Sequence, residues 1–269
     1  MKLSNIFSKK NRILLRELVI TDFKLRYQGS ILGYAWSLLK PLFLFAIMYF
    51  VFGVLIKIGS IEHYAVYLLL GIILWNFFSE ATSQGMASII NRGDLLRKIN
   101  FPKYILILSA TISALINLAL NLVIVAIFMA INGVSLSPSA VLFPLYIIEI
   151  YIFALGLAAL LSAANVRFRD IGHVWEIVIQ AAFDATPIIY PLSLVLEKST
   201  LAAQVLILNP MAQAIQDARY SLITKQTETI STLFSTDLFR LIPITIVLVV
   251  FIIGVLYFEK HSKYFAENI

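Results

Sequence analysis

Apolar residues along this chain come in long blocks separated by short polar interruptions, and block length limits what each block can form. The longest block, 104–148, passes 45 residues without an Asp, Glu, Lys, Arg or His. One membrane crossing needs about 20 apolar residues, so this block holds two. It breaks at the turn-rich stretch Asn132-Gly133-Val134-Ser135-Leu136-Ser137-Pro138. The predicted spans are 104–131 and 141–165. Upstream, 42–56 follows Lys40-Pro41 and stops at Lys57, and a second block runs from Tyr64 past Trp75 with Glu80 in its later part. Downstream, 173–190 is the weakest span because it contains Glu176 and Asp184, whereas 241–258 is clean. The expectation is an all-α membrane protein of six transmembrane helices. It is one domain over 1–269, with a segment 1–34 before the bundle, the bundle at 35–258 and a tail at 259–269.

Composition agrees with that expectation. Of 269 residues, 60% are hydrophobic and 13% charged, where a soluble domain carries about a quarter charged. Folded in water, such a chain leaves too much apolar surface exposed, which argues against a soluble enzyme or a nucleic-acid-binding module despite the net charge of +6. The charge reads as topology. Sixteen of the 21 basic residues fall before the first span, in the loops after spans two and four, and in the tail. Basic residues in short loops mark the cytoplasmic face, so both termini are expected there. The segment 13–20 is interrupted by Arg16 and Glu17, which does not fit a cleavable leader. With no cysteine, disulfides, thiolate metal sites and a cysteine nucleophile are excluded. His63, His173 and His261 are too scattered in the sequence to suggest a metal site.

The polar segments carry their own patterns. In 12–27, Leu14, Leu18, Thr21 and Leu25 form one helical stripe among basic residues, and Asp22 and Arg26 have i,i+4 spacing. Such a helix lies in the headgroup layer; a solvated basic arm is the plainer alternative. In the second loop, Asp94 reads as an N-cap and Pro102 as a stop. They frame a helix of about two turns on which Leu95, Leu96 and Ile99 share a face, with Phe101 beside it. That face suits docking into a groove of a partner, or equally packing on the ends of the spans. The third loop offers Asp170 as a cap for the next helix, and its arginines also suit snorkelling at the membrane edge. Between the last two spans, Pro187 to Pro191 ends one helix, and Leu201, Val205 and Leu208 follow helical spacing. Asn209-Pro210 then starts another helix carrying Met211, Ile215, Ala218 and Leu222. Two short amphipathic helices are expected there, either as a lid over an exit path or as an inert interfacial hairpin.

Little in the sequence supports catalysis. H-E-x-x-H, G-x-S-x-G and the phosphate-cradling G-x-x-x-x-G-K-[ST] do not occur, so nucleotide energy would have to come from another subunit. Glu149 sits well inside the fourth span with no obvious partner, and such a residue is costly unless it faces protein or water. Glu149 with Asp184 leaves an ion-coupled transporter or channel as a different reading. Aromatic residues crowd the first two spans, where they suit either a sugar path or ordinary lipid contact.

Several stretches together resemble the membrane subunit of type-two ATP-binding-cassette exporters, in the branch that exports bacterial cell-surface polysaccharides such as O-antigen, capsule and teichoic acid. They are Asp22-Phe23-Lys24-Leu25-Arg26-Tyr27-Gln28-Gly29-Ser30-Ile31-Leu32-Gly33-Tyr34-Ala35-Trp36, Lys40-Pro41, Leu96-Arg97-Lys98-Ile99-Asn100-Phe101-Pro102, Val166-Arg167-Phe168-Arg169-Asp170, Pro187-Ile188-Ile189-Tyr190, Asn209-Pro210 with Arg219, and Tyr264-Phe265-Ala266-Glu267. The resemblance implies a homodimer enclosing a channel in the bacterial cytoplasmic membrane. Two separate ATPase subunits would supply ATP and Mg, and this chain would hold no cofactor of its own. It makes 12–27 an interfacial helix and Gln28, Gly29, Ser30, Leu32 and Gly33 a loop gating the cytoplasmic mouth. Asp94, Leu95, Leu96, Arg97, Lys98, Ile99 and Phe101 become the coupling helix, with Arg167, Arg169 and Asp170 a second contact. Pro187, Tyr190, Asn209, Pro210 and Arg219 fall at an outer gate, and Phe43, Tyr49, Phe50, Trp75 and Phe78 in the channel wall. The implied cargo is a lipid-linked glycan. A lipid, drug or small glycolipid fits the same plan.

Overall fold

The computed structural model describes residues 8–27, 30, 32–58 and 61–265, and every regular element among them is helical. The helices are α1 (Lys9–Tyr27), α2 (Trp36–Met48, continued as a π-helix Tyr49–Leu55), α3 (Tyr64–Ala87), α4 (Gly93–Lys98), α5 (Tyr104–Ile131), α6 (Phe143–Arg167), α7 (Ile171–Ala185), α8 (Leu192–Lys198), α9 (Thr200–Ile207), α10 (Pro210–Leu222), α11 (Ile230–Leu233) and α12 (Leu241–Ser262). Among the described residues, five helices are long and apolar enough to cross a membrane: α2 with its π extension, α3, α5, α6 and α12, the last two each with a short 3-10 lead-in. α7, over the expected fifth span, has 15 residues and reaches about 22 Å at 1.5 Å per residue. It stops at Thr186, before the two prolines. The first span starts earlier than expected, at Trp36, so Lys40 and Pro41 lie inside it.

α3 is the central helix. In its most apolar stretch 78% of residues are buried, against 11% for α2, and it packs on both α5 and α6. Close approach depends on small residues, the usual device where lipid supplies no hydrophobic drive between helices. A Cβ built on Gly254 of α12 would run into the carbonyl oxygen of Gly156 on α6, and one on Gly85 of α3 would meet the Ala158 methyl at 2.5 Å.

The two ends of the bundle close differently. At the end rich in basic residues, Leu18, Ile89, Leu96, Phe101, Ile105, Val166, Phe258 and Phe265 form one apolar cluster. That cluster locks α1, the α3–α5 loop and the far ends of α6 and α12 together. The face of α1 that packs carries Asn11, Leu14, Leu15 and Leu18; Thr21, expected on the stripe, is exposed. Asp22 pairs with Arg92 of the α3–α5 loop; the Arg26 side chain, its expected i,i+4 partner, lies outside the described residues. At the opposite end α8, α9 and α11 share a small core of Leu192, Ala203, Ile207 and Ile230. Leu201 and Val205 of the apolar stripe on α9 point away from this core and are exposed.

Candidate functional site

At the basic end, α4 splits its expected apolar face. Leu96 and Phe101 are buried in the cluster, Leu95 is half-buried, and Ile99 is exposed beside Asp94, Arg97 and Lys98. The helix begins one residue before Asp94, which lies in its first turn without capping it; the N-cap position is Arg92. The packing alternative therefore accounts for Leu96 and Phe101, while the outward face keeps a mixed charge and a single apolar knob. Arg167, Arg169 and Asp170 are all exposed at the same end, with the Arg167 guanidinium 5.2 Å from the Phe168 ring centroid. Asp170 holds the N-cap position of α7, but its side chain makes no capping bond there. Of the expected mouth loop, Gln28 and Gly29 lie outside the described residues, as do Ala266 and Glu267 of the tail. Ser30 and Leu32 are exposed, and Gly33 adopts φ +48°, a left-handed turn suited to glycine, just before α2.

α7 has no buried residue. Its inner side leans Ile179, Ala182 and Phe183 on the core. The opposite side carries His173, Glu176, Gln180 and Asp184, spaced three, four and four residues apart and all exposed. Those spacings put four polar groups on one helical stripe, flanked by exposed Val174, Ile177 and Val178. In the sequence Glu176 and Asp184 weaken a span, and Asp184 also enters the ion-coupled reading; in the fold His173 and Gln180 join them in a continuous polar track.

The expected channel aromatics do not share a surface. Phe43 and Phe50 are exposed on α2, whereas Trp75 and Phe78 are buried, packed on Phe183 and Phe153 with ring centroids 5.9 and 5.3 Å apart. Tyr49 joins a ladder of stacked rings, Phe45–Tyr49–Tyr64–Tyr67, with successive centroids 5.7, 6.3 and 6.3 Å apart.

That ladder ends on Arg219. Its guanidinium lies 3.6 Å from the Tyr67 ring centroid and is fully buried. It donates to the carbonyls of Tyr67 (3.0 Å), Pro187 (2.7 Å) and Ile188 (2.7 Å) and to Gln216 Oε1 (3.0 Å). Four of its five N–H groups are thereby used. Gly71 makes the room, since a Cβ there would collide with the guanidinium. The Tyr64 hydroxyl donates to Ile189 O at 2.7 Å and so pins the same turn. Asn209 caps α10 by accepting from the Met211 N–H at 3.0 Å, with Pro210 in the first turn. Pro187, Asn209, Pro210 and Arg219 thus belong to one clamp joining α3, the turn after α7, and α10. Tyr190 is half-buried beside it, its hydroxyl directed to Asp184 O at 3.3 Å.

α10 was expected to lie on the surface or dip into the bilayer. Instead it is buried nearly all round, Gln213, Gln216, Asp217 and Arg219 included. Gln213 Nε2 donates to Asp217 Oδ2 at 2.7 Å, and Arg240 approaches the same oxygen at 3.7 Å. Glu149, without an obvious partner in the sequence, faces this group of Gln213, Asp217 and Arg240. Asp184 lies on the exposed side of α7, so the two acids of the ion-coupled reading belong to different faces of the subunit.

Sequence reading missed a further feature. A cleft of about 680 Å³ opens between α2, α3 and α5, bordered by Lys40, Asn76, Ser83 and Glu80 together with Asn117 and Asn121. Pro41 explains part of it. Proline has no N–H to give the carbonyl of residue i−4, here Ser37, and Asn121 Nδ2 from α5 donates to Ser37 O at 3.3 Å. Asn117 Nδ2 donates to Glu80 Oε2 at 2.7 Å, and Gln84 Nε2 to Glu80 Oε1 at 3.2 Å. The signal in the sequence was the pair of asparagines four residues apart inside an otherwise apolar helix.

Comparison with known proteins places this architecture. The profile of the family described as "ABC-2 type transporter" matches residues 13–223. An "O-antigen export system permease protein RfbA" from Myxococcus xanthus is 34% identical over 200 residues, covering 74% of this chain and 76% of that protein. A protein of the same description from Klebsiella pneumoniae is 29% identical over 249 residues, covering 91% of each. The chain is a multi-pass membrane protein and a transporter subunit, and it belongs to the ABC-2 type transporter family.

Proposed function

We propose that this chain is the permease half of an ATP-driven exporter that moves a lipid-linked cell-surface polysaccharide, of the O-antigen kind, out across the bacterial inner membrane. Two copies enclose the passage, and two separate ATPase subunits hold ATP and Mg and do the hydrolysis. This chain performs no chemistry of its own. Both termini are cytoplasmic. α7 together with the turn 186–190 makes the sixth crossing, the rest being the five long helices.

The observation that carries the reading is the polar track of α7. Four polar side chains on the uncovered side of a short helix are expensive against lipid, and they become favourable when two subunits face each other across water. A hydrated wall suits a chain of sugars. The names of the relatives support the polysaccharide, and the exposed Asp94, Arg97, Lys98 and Ile99, with Arg167, Arg169 and Asp170, offer the surface for the ATPase. The 28–33 loop serves as the cytoplasmic mouth, and the Arg219 clamp fixes the frame of the outer gate.

The test is reconstitution of the permease with its companion ATPase in proteoliposomes containing a lipid-linked O-polysaccharide. ATP-dependent appearance of the glycan on the far side is expected. Transport by the permease alone on a proton or sodium gradient would overturn the reading, as would ATP-driven movement confined to a lipid or drug without glycan.

A further inference from the structure

The cleft between α2, α3 and α5 is lined by no residue of the α7 track. We infer that it is a binding subsite for the first sugar and phosphate of the lipid-linked substrate, an inference that rests on the export reading. Three observations carry it. First, Asn121 is 3% exposed, and its Oδ1 finds no donor among the described residues, although buried polar atoms are normally paired. Its amide nitrogen is already committed to Ser37 O and, at 2.8 Å, to Asn117 O. The atom left over is an acceptor, and it asks for a hydroxyl or N–H from a ligand.

Second, the lining combines acceptors with donors. The Glu80 carboxylate and Asn121 Oδ1 accept; Asn76, Ser83 and the Lys40 ammonium donate. A sugar ring presents hydroxyls that serve in both senses, whereas an acyl chain presents none. Third, charge and apolar surface are ordered along the cleft. Lys40 is exposed on α2 with Trp36 and Phe43, while Glu80 is held from within by Asn117 and Gln84. An anionic phosphate is repelled by Glu80 and attracted by Lys40. The ligand therefore lies with its sugar toward Glu80 and Asn121, its phosphate at Lys40, and its lipid tail outward along α2, the least buried of the spans.

The experiment measures binding of farnesyl-diphosphate-linked N-acetylglucosamine, and of farnesyl diphosphate alone, to the purified permease–ATPase complex by native mass spectrometry. The wild type is expected to favour the sugar-bearing probe at least tenfold. Asn121→Leu, and Ser83→Leu, which fills the cleft without touching the Ser37 bond, are each expected to lower its affinity at least tenfold. Ile127→Leu, on the exposed side of α5, leaves it unchanged. Equal affinity for the two probes, or unchanged binding in Ser83→Leu, overturns the subsite. If that happens while the same complex still exports glycan on ATP, the subsite alone is wrong. If the wild type exports nothing, the failure belongs to the export reading.

Discussion

α7 and α10 are both short and polar for their surroundings, at 15 and 13 residues, and the fold treats them in opposite ways. α10 takes Gln213, Gln216, Asp217 and Arg219 into the bundle and gives them partners from α3, the 186–190 turn and Arg240. α7 leaves His173, Glu176, Gln180 and Asp184 uncovered. Polar groups satisfied within one chain hold that chain together. Polar groups left outward need water or another molecule. The difference separates a structural polar helix from one free to serve transport, and composition alone could not make that separation.

The largest effect is expected at Arg219. Arg219→Met removes the donors that serve the Pro187 and Ile188 carbonyls, and buried acceptors left unpaired cost about 1–3 kcal/mol each. The unfolding midpoint in detergent should fall sharply, with loss of the monodisperse peak in gel filtration. Gly71→Ala should reproduce most of that loss by crowding the same guanidinium. Stable protein from both variants would mean that α10 is no more structural than α7.

Next come Gln180→Leu and Asp184→Leu on α7. They should leave the unfolding midpoint within a few degrees of wild type, yet reduce ATP-driven glycan export at least tenfold. A drop in stability matching that of Arg219→Met, or unimpaired export, would erase the contrast between the helices. The smallest effect is expected from Arg97→Glu on the exposed side of α4. It should weaken permease-dependent stimulation of the ATPase a few-fold without altering assembly of the bundle. Leu96→Asp would not separate coupling from folding, because that side chain belongs to the buried cluster and its loss would loosen the whole basic end.

Much of the frame was legible in advance because apolar block length and helix length are tied by bilayer thickness. The 104–131 expectation coincides with α5, and the Asn209-Pro210 start signal with the first turn of α10. The start of the first span was placed late because Lys40 and Pro41 read as a boundary, yet proline is tolerated inside a helix when a neighbour serves the carbonyl it orphans. Asn121 does so for Ser37. Sequence spacing identified Leu95, Leu96 and Ile99 as one face but could not say which of them the helix ends would cover. The cleft was invisible for a different reason. Its amides and hydroxyls are neutral, unremarkable one at a time, and drawn from three helices.

By itself the sequence determined that this is a helical membrane protein with most of its basic residues at one end, because apolar blocks long enough to span satisfy their backbone within each helix and charge is costly in hydrocarbon. Only the tertiary structure decided which polar side chains are partnered. Pairing of Arg219 with carbonyls of Tyr67 and Pro187, residues 152 and 32 positions away, depends on how helices cross. A one-dimensional pattern carries periodicity within a helix, and it holds no record of what the neighbouring helix brings alongside.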